Sequence, residues 1–330
     1  MLKGKKILIT GGAGFIGSNL CDHFLIHNEV LCVDNLITGK KENIQHLMGH
    51  PNFRFEELDI RDYEVCLKIT TGIDVIFHEA ALGSVPRSIK TPLNTNAHNV
   101  TGFLNMLEAA RQNDVSRIIF ATSSSTYGDH PNLPKIENAI GTPLSPYAVT
   151  KQVNELYASV YSRLYNMEII GLRYFNVYGK RQDPDGAYAA VIPRFIKQMN
   201  SGEPITINGD GEQTRDFTFI QDVIQANERA ATVKDQKALN TVCNVAFGQR
   251  ISLNSLVRKI KDNLEKLNLN KADIEIKYGP KRIGDIEHSY ASIEKAKTLL
   301  NYQPQFSLEE GIALYLKDLL VEIKNGDVNH

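Results

Sequence analysis

Tryptophan is missing from the 330 residues, an absence that decides nothing about class. Other scarcities decide more. Four cysteines, Cys21, Cys32, Cys66 and Cys243, are scattered without metal-ligand or disulfide spacing, which fits a reducing compartment. Three of them sit in apolar or helical contexts and read as core residues. No apolar run approaches the roughly 18 residues that a membrane helix needs, and no signal-peptide stretch precedes the first strand. Charge of one sign is lacking too. The 37 Lys and Arg against 38 Asp and Glu leave a formal net charge of -1, so no broad positive field gathers nucleic acid or an anionic membrane. The basic stretch Gly39-Lys40-Lys41 is too short to change that. No group of His, Cys and carboxylates has metal-site spacing, and no phosphate loop ends in Lys-Ser or Lys-Thr. A soluble, cytoplasmic chain is expected, with any phosphate bound by local geometry.

What is present is an ordinary globular composition, 42% hydrophobic and 23% charged, long enough for one large domain with a smaller lobe. Short apolar strands are expected at residues 5–10, 29–34, 53–57, 73–78, 117–122 and 168–174. Helical patterns alternate with them at 15–27, 62–70, 94–113 and 146–165. Within 94–113, Val100, Phe103, Leu104 and Leu107 share a side. This alternation argues an α/β fold, with a parallel sheet covered on both faces. After Tyr178 the rhythm changes. Residues 180–190 are turn-rich, 192–200 helical, and 208–211 a tight turn. Helices are expected at 219–231 and 253–267, strands near 241–245 and 273–278, and two short helices to the end. Residues 1–178 therefore form the main sheet domain and 179–330 a smaller C-terminal α/β lobe, with the chain crossing back between them.

Between the first strand and helix, Gly11, Gly14 and Gly17 recur every third residue. Gly11 permits a tight turn, Gly14 lets backbone approach a pyrophosphate, and Gly17 lets the helix sit close to the sheet. The helix N-terminus then offers unpaired N–H groups to phosphate. Asp34 ends the second strand, 17 residues beyond Gly17, where a carboxylate can accept both ribose hydroxyls and repel a 2'-phosphate. NAD rather than NADP is the expected cofactor, in a Rossmann sheet. Asn35 is a lesser ribose candidate, and Asp59-Ile60 follows the third strand where adenine would lie.

Tyr147 and Lys151 are four apart on a helix begun by Ser145 and Pro146, so their side chains share a face. A phenol titrates near 10 in isolation, and a nearby ammonium favours phenolate, bringing it toward use as a base. Ser123, Ser124 and Ser125 follow an apolar strand, where a doubly wound fold places ligand groups. Glycine turn, acid, serine loop and Tyr–Lys pair in this order point jointly to an NAD oxidoreductase site. Arg215 and Arg282 are candidates for a bidentate clamp on a diphosphate. His78 reads as structural. Tyr157, Tyr161 and Leu164 lie on a helix side available to a second subunit.

With these residues in view, the chain resembles the extended short-chain dehydrogenase/reductases, and within them the UDP-N-acetylglucosamine (UDP-N-acetylhexosamine) 4-epimerases of bacterial polysaccharide biosynthesis. The resemblance spans nearly the whole chain. It rests on Gly11 to Gly17, residues 80–88 (AALGSVPRS), residues 123–129 (SSSTYGD), residues 144–151 (LSPYAVTK), residues 173–179 (RYFNVYG) and Gly209 to Asp216. It implies an isomerase in which Ser123, Tyr147 and Lys151 are catalytic. Phe15, Ile16, Ala80, Ala81, Asn99 and Tyr174 would join the cofactor contacts. Ser84, Ser124, Asn176, Gln182 and Ala190 would surround the substrate, with Arg215 and Arg282 on its diphosphate. Ser289 lies where galactose-type members often carry a bulky tyrosine, and its small side chain would leave room for a 2-acetamido group. The implied reaction is reversible C4 epimerisation of UDP-N-acetylglucosamine and UDP-N-acetylgalactosamine. A uronate version would use Arg87 on the carboxylate, and a cofactor-binding scaffold without chemistry is the alternative of another class. A dehydratase would want an acid–base pair directly after Ser123, where Ser124 and Ser125 stand. The resemblance also implies a homodimer joined by four helices, two matching 94–113 and 146–165 in each subunit.

Overall fold

The computed structural model describes residues 1–185, 189–267, 269, 274–280 and 287–326. Its first half runs β1 (Lys6–Thr10), α1 (Phe15–Leu25), β2 (Glu29–Asp34), β3 (Phe53–Glu57), α2 (Tyr63–Thr70) and β4 (Val75–His78). Then come α3 (Val85–Lys90), α4 (Pro92–Asn96), a π-helical turn (Ala97–Thr101), α5 (Gly102–Gln112), β5 (Arg117–Ser123), α6 (Pro146–Tyr165) and β6 (Glu168–Tyr174). The second half runs β7 (Val177–Tyr178), α7 (Val191–Ser201), β8 (Ile205–Asn208), β9 (Thr214–Arg215), β10 (Thr218–Phe219), α8 (Ile220–Thr232) and β11 (Val242–Val245). It ends with β12 (Ile251–Ser252), α9 (Leu253–Lys266), β13 (Ile276–Gly279), α10 (Glu294–Leu300) and α11 (Leu308–Gly326).

Seven strands pair in parallel in the order β11-β6-β5-β4-β1-β2-β3. The order reverses between β1 and β4, the point outside whose strand ends a doubly wound sheet binds its ligand. Side chains alternate to two buried faces, as a sheet covered on both sides requires. Ile7, Ile9, Phe77 and Ile119 join the core shared with α1 and α8, whereas Leu8, Ile76, Ile118 and Phe120 pack with α2 and α5. Each such large apolar side chain stabilises the fold by about 1.5–3 kcal/mol when fully buried.

Helix ends follow the local chemistry. Ser145 caps α6 by accepting the Ala148 N–H at 3.2 Å, Pro146 opens it, and Asn166 closes it in the left-handed region. That fixes the rotational phase of Tyr147 and Lys151. The helical run expected over 94–113 is present as α4, the π turn and α5, and the π turn carries Asn99, which accepts the Leu82 N–H at 2.7 Å. The last helix is also not short: α11 spans 19 residues. The strand β8 was not legible beforehand, and it pairs in parallel with β13, Ile205 opposite Ile276. Tyr157 and Tyr161 are half-buried against the core beside α5, with Tyr161 donating to Glu108 at 3.1 Å. All four cysteines are buried and free. Among the described residues no helix is long and apolar enough to cross a membrane, and no cluster of three or more His, Cys, Asp or Glu is arranged to hold a metal.

Candidate active site

The glycine turn works by closeness. Gly11 has φ +68°, and a Cβ there would come 2.7 Å from the Ala80 backbone nitrogen. A Cβ on Gly17 would collide with the Gly11 carbonyl, so α1 lies tight against the turn as only glycine permits. Gly14 caps α1 with no side-chain bond, which leaves the helix N-terminus open to an anion. Gly11, Gly14, Phe15, Ile16 and Gly17 line a cavity of about 850 Å³, together with Asp34, Asn35, Ile60, Ala80 and Ala81. The cradle that any Cβ would fill, with a carboxylate at the next strand end, suits a dinucleotide.

Asp34 is nearly buried and accepts the Leu36 and Ala13 N–H groups at 2.8 and 3.1 Å. Burial raises its carboxyl, and the backbone donors oppose the rise. Two residues expected at the cofactor bond other protein groups in this structure. Asp59 does not line the cavity. It grips Arg61 and accepts the Asn35 amide at 3.1 Å, so it orients Asn35, and Arg61 holds its carboxyl well below the usual range. Asn99 is fully buried and bonds both the N–H and C=O of Leu82 and the Thr150 hydroxyl. Its amide pins the 80–83 loop to α6.

Ser123 ends β5 opposite Tyr174 of β6, and Tyr147 and Lys151 reach the same cavity from α6. The Ser123 hydroxyl lies beside the Tyr147 phenol. Its own oxygen accepts from the Ser125 N–H at 3.1 Å and the Ser125 hydroxyl at 3.0 Å. Ser125, not Ser124, is thus the serine that supports Ser123, and Ser124 does not line the cavity. Burial raises the Tyr147 phenol, the Ser123 hydroxyl lowers it, and the Glu79 carboxylate raises it further. Lys151 lies one turn further along α6. Its ammonium donates to the Ala121 carbonyl at 2.8 Å, and burial brings it down to about 8 against the opposing pull of Glu79 and Glu155.

Tyr174 lines the cavity and donates to Glu79 at 2.9 Å. Glu79 went unnoticed in the sequence, although a carboxylate directly after the buried strand ending at His78 was the available signal. His78 is structural as expected: buried, bonded to the Thr10 hydroxyl at 3.0 Å, and driven down to about 3 by burial. One turn beyond Lys151, Glu155 receives Thr122 at 2.7 Å and pairs with buried Arg173 at 2.6 Å. This network braces the end of β5 against α6.

Asn176, Gln182 and Ala190 line this cavity and an adjoining one of about 230 Å³ that Arg215 also lines. Asn176 adopts φ +33° and donates to the Asp216 carbonyl at 2.9 Å. Gln182 donates to Val177 at 2.9 Å while its buried carbonyl oxygen has no partner. Arg215 reaches the Thr214 and Glu287 carbonyls at 2.9 and 3.2 Å. Arg87 lines the larger cavity. Ser84 instead caps α3 by accepting the Arg87 N–H at 3.1 Å. Ser289 lines neither cavity and bonds Thr214 through its N–H. Arg282 lies outside the described residues.

A Rossmann sheet presenting serine, tyrosine and lysine to a dinucleotide-sized cavity defines an NAD-dependent enzyme of the extended short-chain dehydrogenase/reductase kind. Residues 7–246 match the NAD dependent epimerase/dehydratase family, and the chain belongs to it. Among solved structures, the UDP-N-acetylglucosamine 4-epimerase of Methanobrevibacter ruminantium M1, in complex with UDP-N-acetylmuramic acid, is 38% identical with a TM-score of 0.91. The match covers 97% of this chain and 100% of that one. The UDP-glucose 4-epimerase of Thermotoga maritima, with UDP-glucose, is 35% identical at TM-score 0.89, covering 96% and 99%. The UDP-glucuronic acid 4-epimerase of Bacillus cereus, with UDP-glucuronic acid and NAD, is 35% identical at TM-score 0.85, covering 95% and 99%. The chain is an NAD-dependent epimerase, and the scaffold alternative falls away.

Proposed function

We propose that this enzyme interconverts UDP-N-acetylglucosamine and UDP-N-acetylgalactosamine by inverting C4. Residues 1–178 serve mainly the cofactor and 179–330 mainly the substrate. The observation that carries the reading is the shared wall of Asn176, Gln182 and Ala190 between the redox cavity and the Arg215 cavity. A sugar at Tyr147 can therefore be tethered by a diphosphate at Arg215, assisted by Arg282, and a nucleoside beyond it. The likeness to the UDP-N-acetylglucosamine 4-epimerase of Methanobrevibacter ruminantium M1 supports an N-acetylated sugar.

In this scheme Gly11 to Gly17, Asp34 and Asn35 hold NAD, which when bound supplies a hydride acceptor that later returns the hydride. Tyr147 takes the proton from the sugar 4-hydroxyl while Ser123, itself held by Ser125, orients that oxygen. The 4-keto sugar turns about its diphosphate tether and presents its other face. Tyr147 then gives the proton back with inverted configuration. No cofactor turnover is required, since oxidation and reduction cancel.

A second reading is 4-epimerisation of UDP-N-acetylglucosaminuronic acid, favoured by Arg87 in the cavity wall. Incubation with UDP-N-acetylglucosamine and its 6-carboxylate separately, with the epimers resolved by NMR, decides between them. Conversion of the neutral sugar is the expected result, and conversion of the carboxylate alone would sink it. Val149, Leu156, Val160 and Leu164 form an exposed stripe on α6, with Ile89 and Leu93 exposed on the packed α3 and α4. This surface supports a homodimer through paired helices. Buried free thiols support a reducing, cytoplasmic setting.

A further inference from the structure

Glu79 has no part in the scheme above, yet it lines the same cavity as Ser123, Tyr147 and Lys151. Strand register explains how it gets there. His78 pairs with Phe120, so Glu79 stands level with Ala121, whose carbonyl receives the Lys151 ammonium at 2.8 Å. From β6, Tyr174 donates its hydroxyl to Glu79 Oε1 at 2.9 Å and accepts the Asn227 amide of α8 at 2.9 Å. Three adjacent strand ends thus converge on one carboxylate and one lysine. A buried ammonium with only a neutral acceptor is costly, and a counter-charge reduces that cost.

We infer that Glu79 is a positioning residue for the redox reaction: oriented by Tyr174, its carboxylate supplies the counter-charge that keeps Lys151 an ammonium one helical turn from Tyr147. The inference rests on the Ser123–Tyr147–Lys151 reading of the site. The titratable groups facing Glu79 are Lys151 and Tyr147 from α6 and Tyr174 from β6. β1 meets it with backbone, through the Glu79 N–H to the Thr10 carbonyl at 3.1 Å, and α8 with neutral Asn227. His78 is neutral at working pH, and Glu155, paired with Arg173 and bonded by Thr122, also raises Lys151, though less than Glu79 does. Burial pushes Glu79 itself up to about 7, so its counter-charge is present at neutral pH and above and fades below. There it holds up the ammonium that burial alone would discharge.

The test is the alkaline limb of the kcat profile for the holoenzyme. In Glu79→Gln the limb should move to lower pH by about one unit, so kcat at pH 9 falls about tenfold against wild type and changes far less at pH 7. Glu79→Asp, which keeps the charge, should restore most of the limb's position. Tyr174→Phe, which removes the orienting bond, should move it the same way by less. A purely structural role would lower the profile at every pH without moving the limb, and that result overturns the inference. So does an unmoved limb in Tyr174→Phe, should Glu79→Gln fail to fold. Tyr147→Phe is the companion: if it stays active, the site reading itself has failed, whereas an inactive Tyr147→Phe with an unmoved Glu79→Gln limb removes only Glu79.

Discussion

The sheet half and the C-terminal lobe hold polar groups still by opposite means. In the sheet half, Asp34, Glu79, Ser123 and Tyr174 leave from or just beyond the ends of β2, β4, β5 and β6. Parallel register sets their spacing. The lobe has strands of two to four residues outside the main sheet, paired only two by two. There, buried carboxylates do the gathering. Asp216 is fully buried and accepts the Gly248 and Ala291 N–H groups at 3.1 and 3.2 Å. Asp222 accepts Gln305 and Phe306 at 2.8 and 3.3 Å. A repeating backbone places groups by distance along the chain; a carboxylate places them by collecting segments far apart in it.

That contrast can be broken experimentally. The largest effect belongs to the strand-end site: Tyr147→Phe should lower kcat by about 10²–10⁴-fold, the range for a positioned acid–base group. NAD content, measured after heat release, should be unchanged. Next comes the brace beneath it. Arg173→Met leaves the Glu155 carboxylate buried without its partner, which should cost about 3–5 kcal/mol in urea unfolding; a loss below about 1 kcal/mol would mean that strand register needs no such brace. The smallest effect probes the lobe. Burial pushes Asp216 up to about 7, above its unfolded value, so the folded state binds the extra proton and this group's contribution falls as pH rises from about 4 to about 7. The stability of wild type minus that of Asp216→Asn should decline across that window. A flat difference would mean that the gathered backbone N–H groups fully offset the burial of the carboxylate.

The same contrast explains what could be read in advance. Strand and helix periodicity placed β2, β3, β6 and α6 to the residue, and the four-residue step from Tyr147 to Lys151 survives as a shared cavity wall. Side-chain partners were less legible. Nothing local says that Asp59 bonds Arg61 and Asn35, or that Asn99 bonds the backbone of Leu82. Both residues compete for hydrogen bonds with groups that only the tertiary fold brings near. Ser124 and Ser125 are alike as letters; the turn after β5 aims one hydroxyl at Ser123 and not the other. Tyr157 and Tyr161 are half-buried against the core beside α5, contacts that helical spacing, which gives relative and not absolute phase, does not show.

The π turn at Ala97–Thr101 bears on how this chain can lose residues. Such a turn holds one residue more than an α-helical path requires, and each residue of a helix accounts for about 100° of rotation. Deleting one residue there lets the path relax to an ordinary helix, with Phe103 and Leu107 still on the sheet. The same deletion inside α5 swings the following residues away by about 100°. What the first deletion gives up is the inward aim of Asn99, and with it the tie to the 80–83 loop. A single codon at this place therefore separates keeping the fold from keeping the cavity wall.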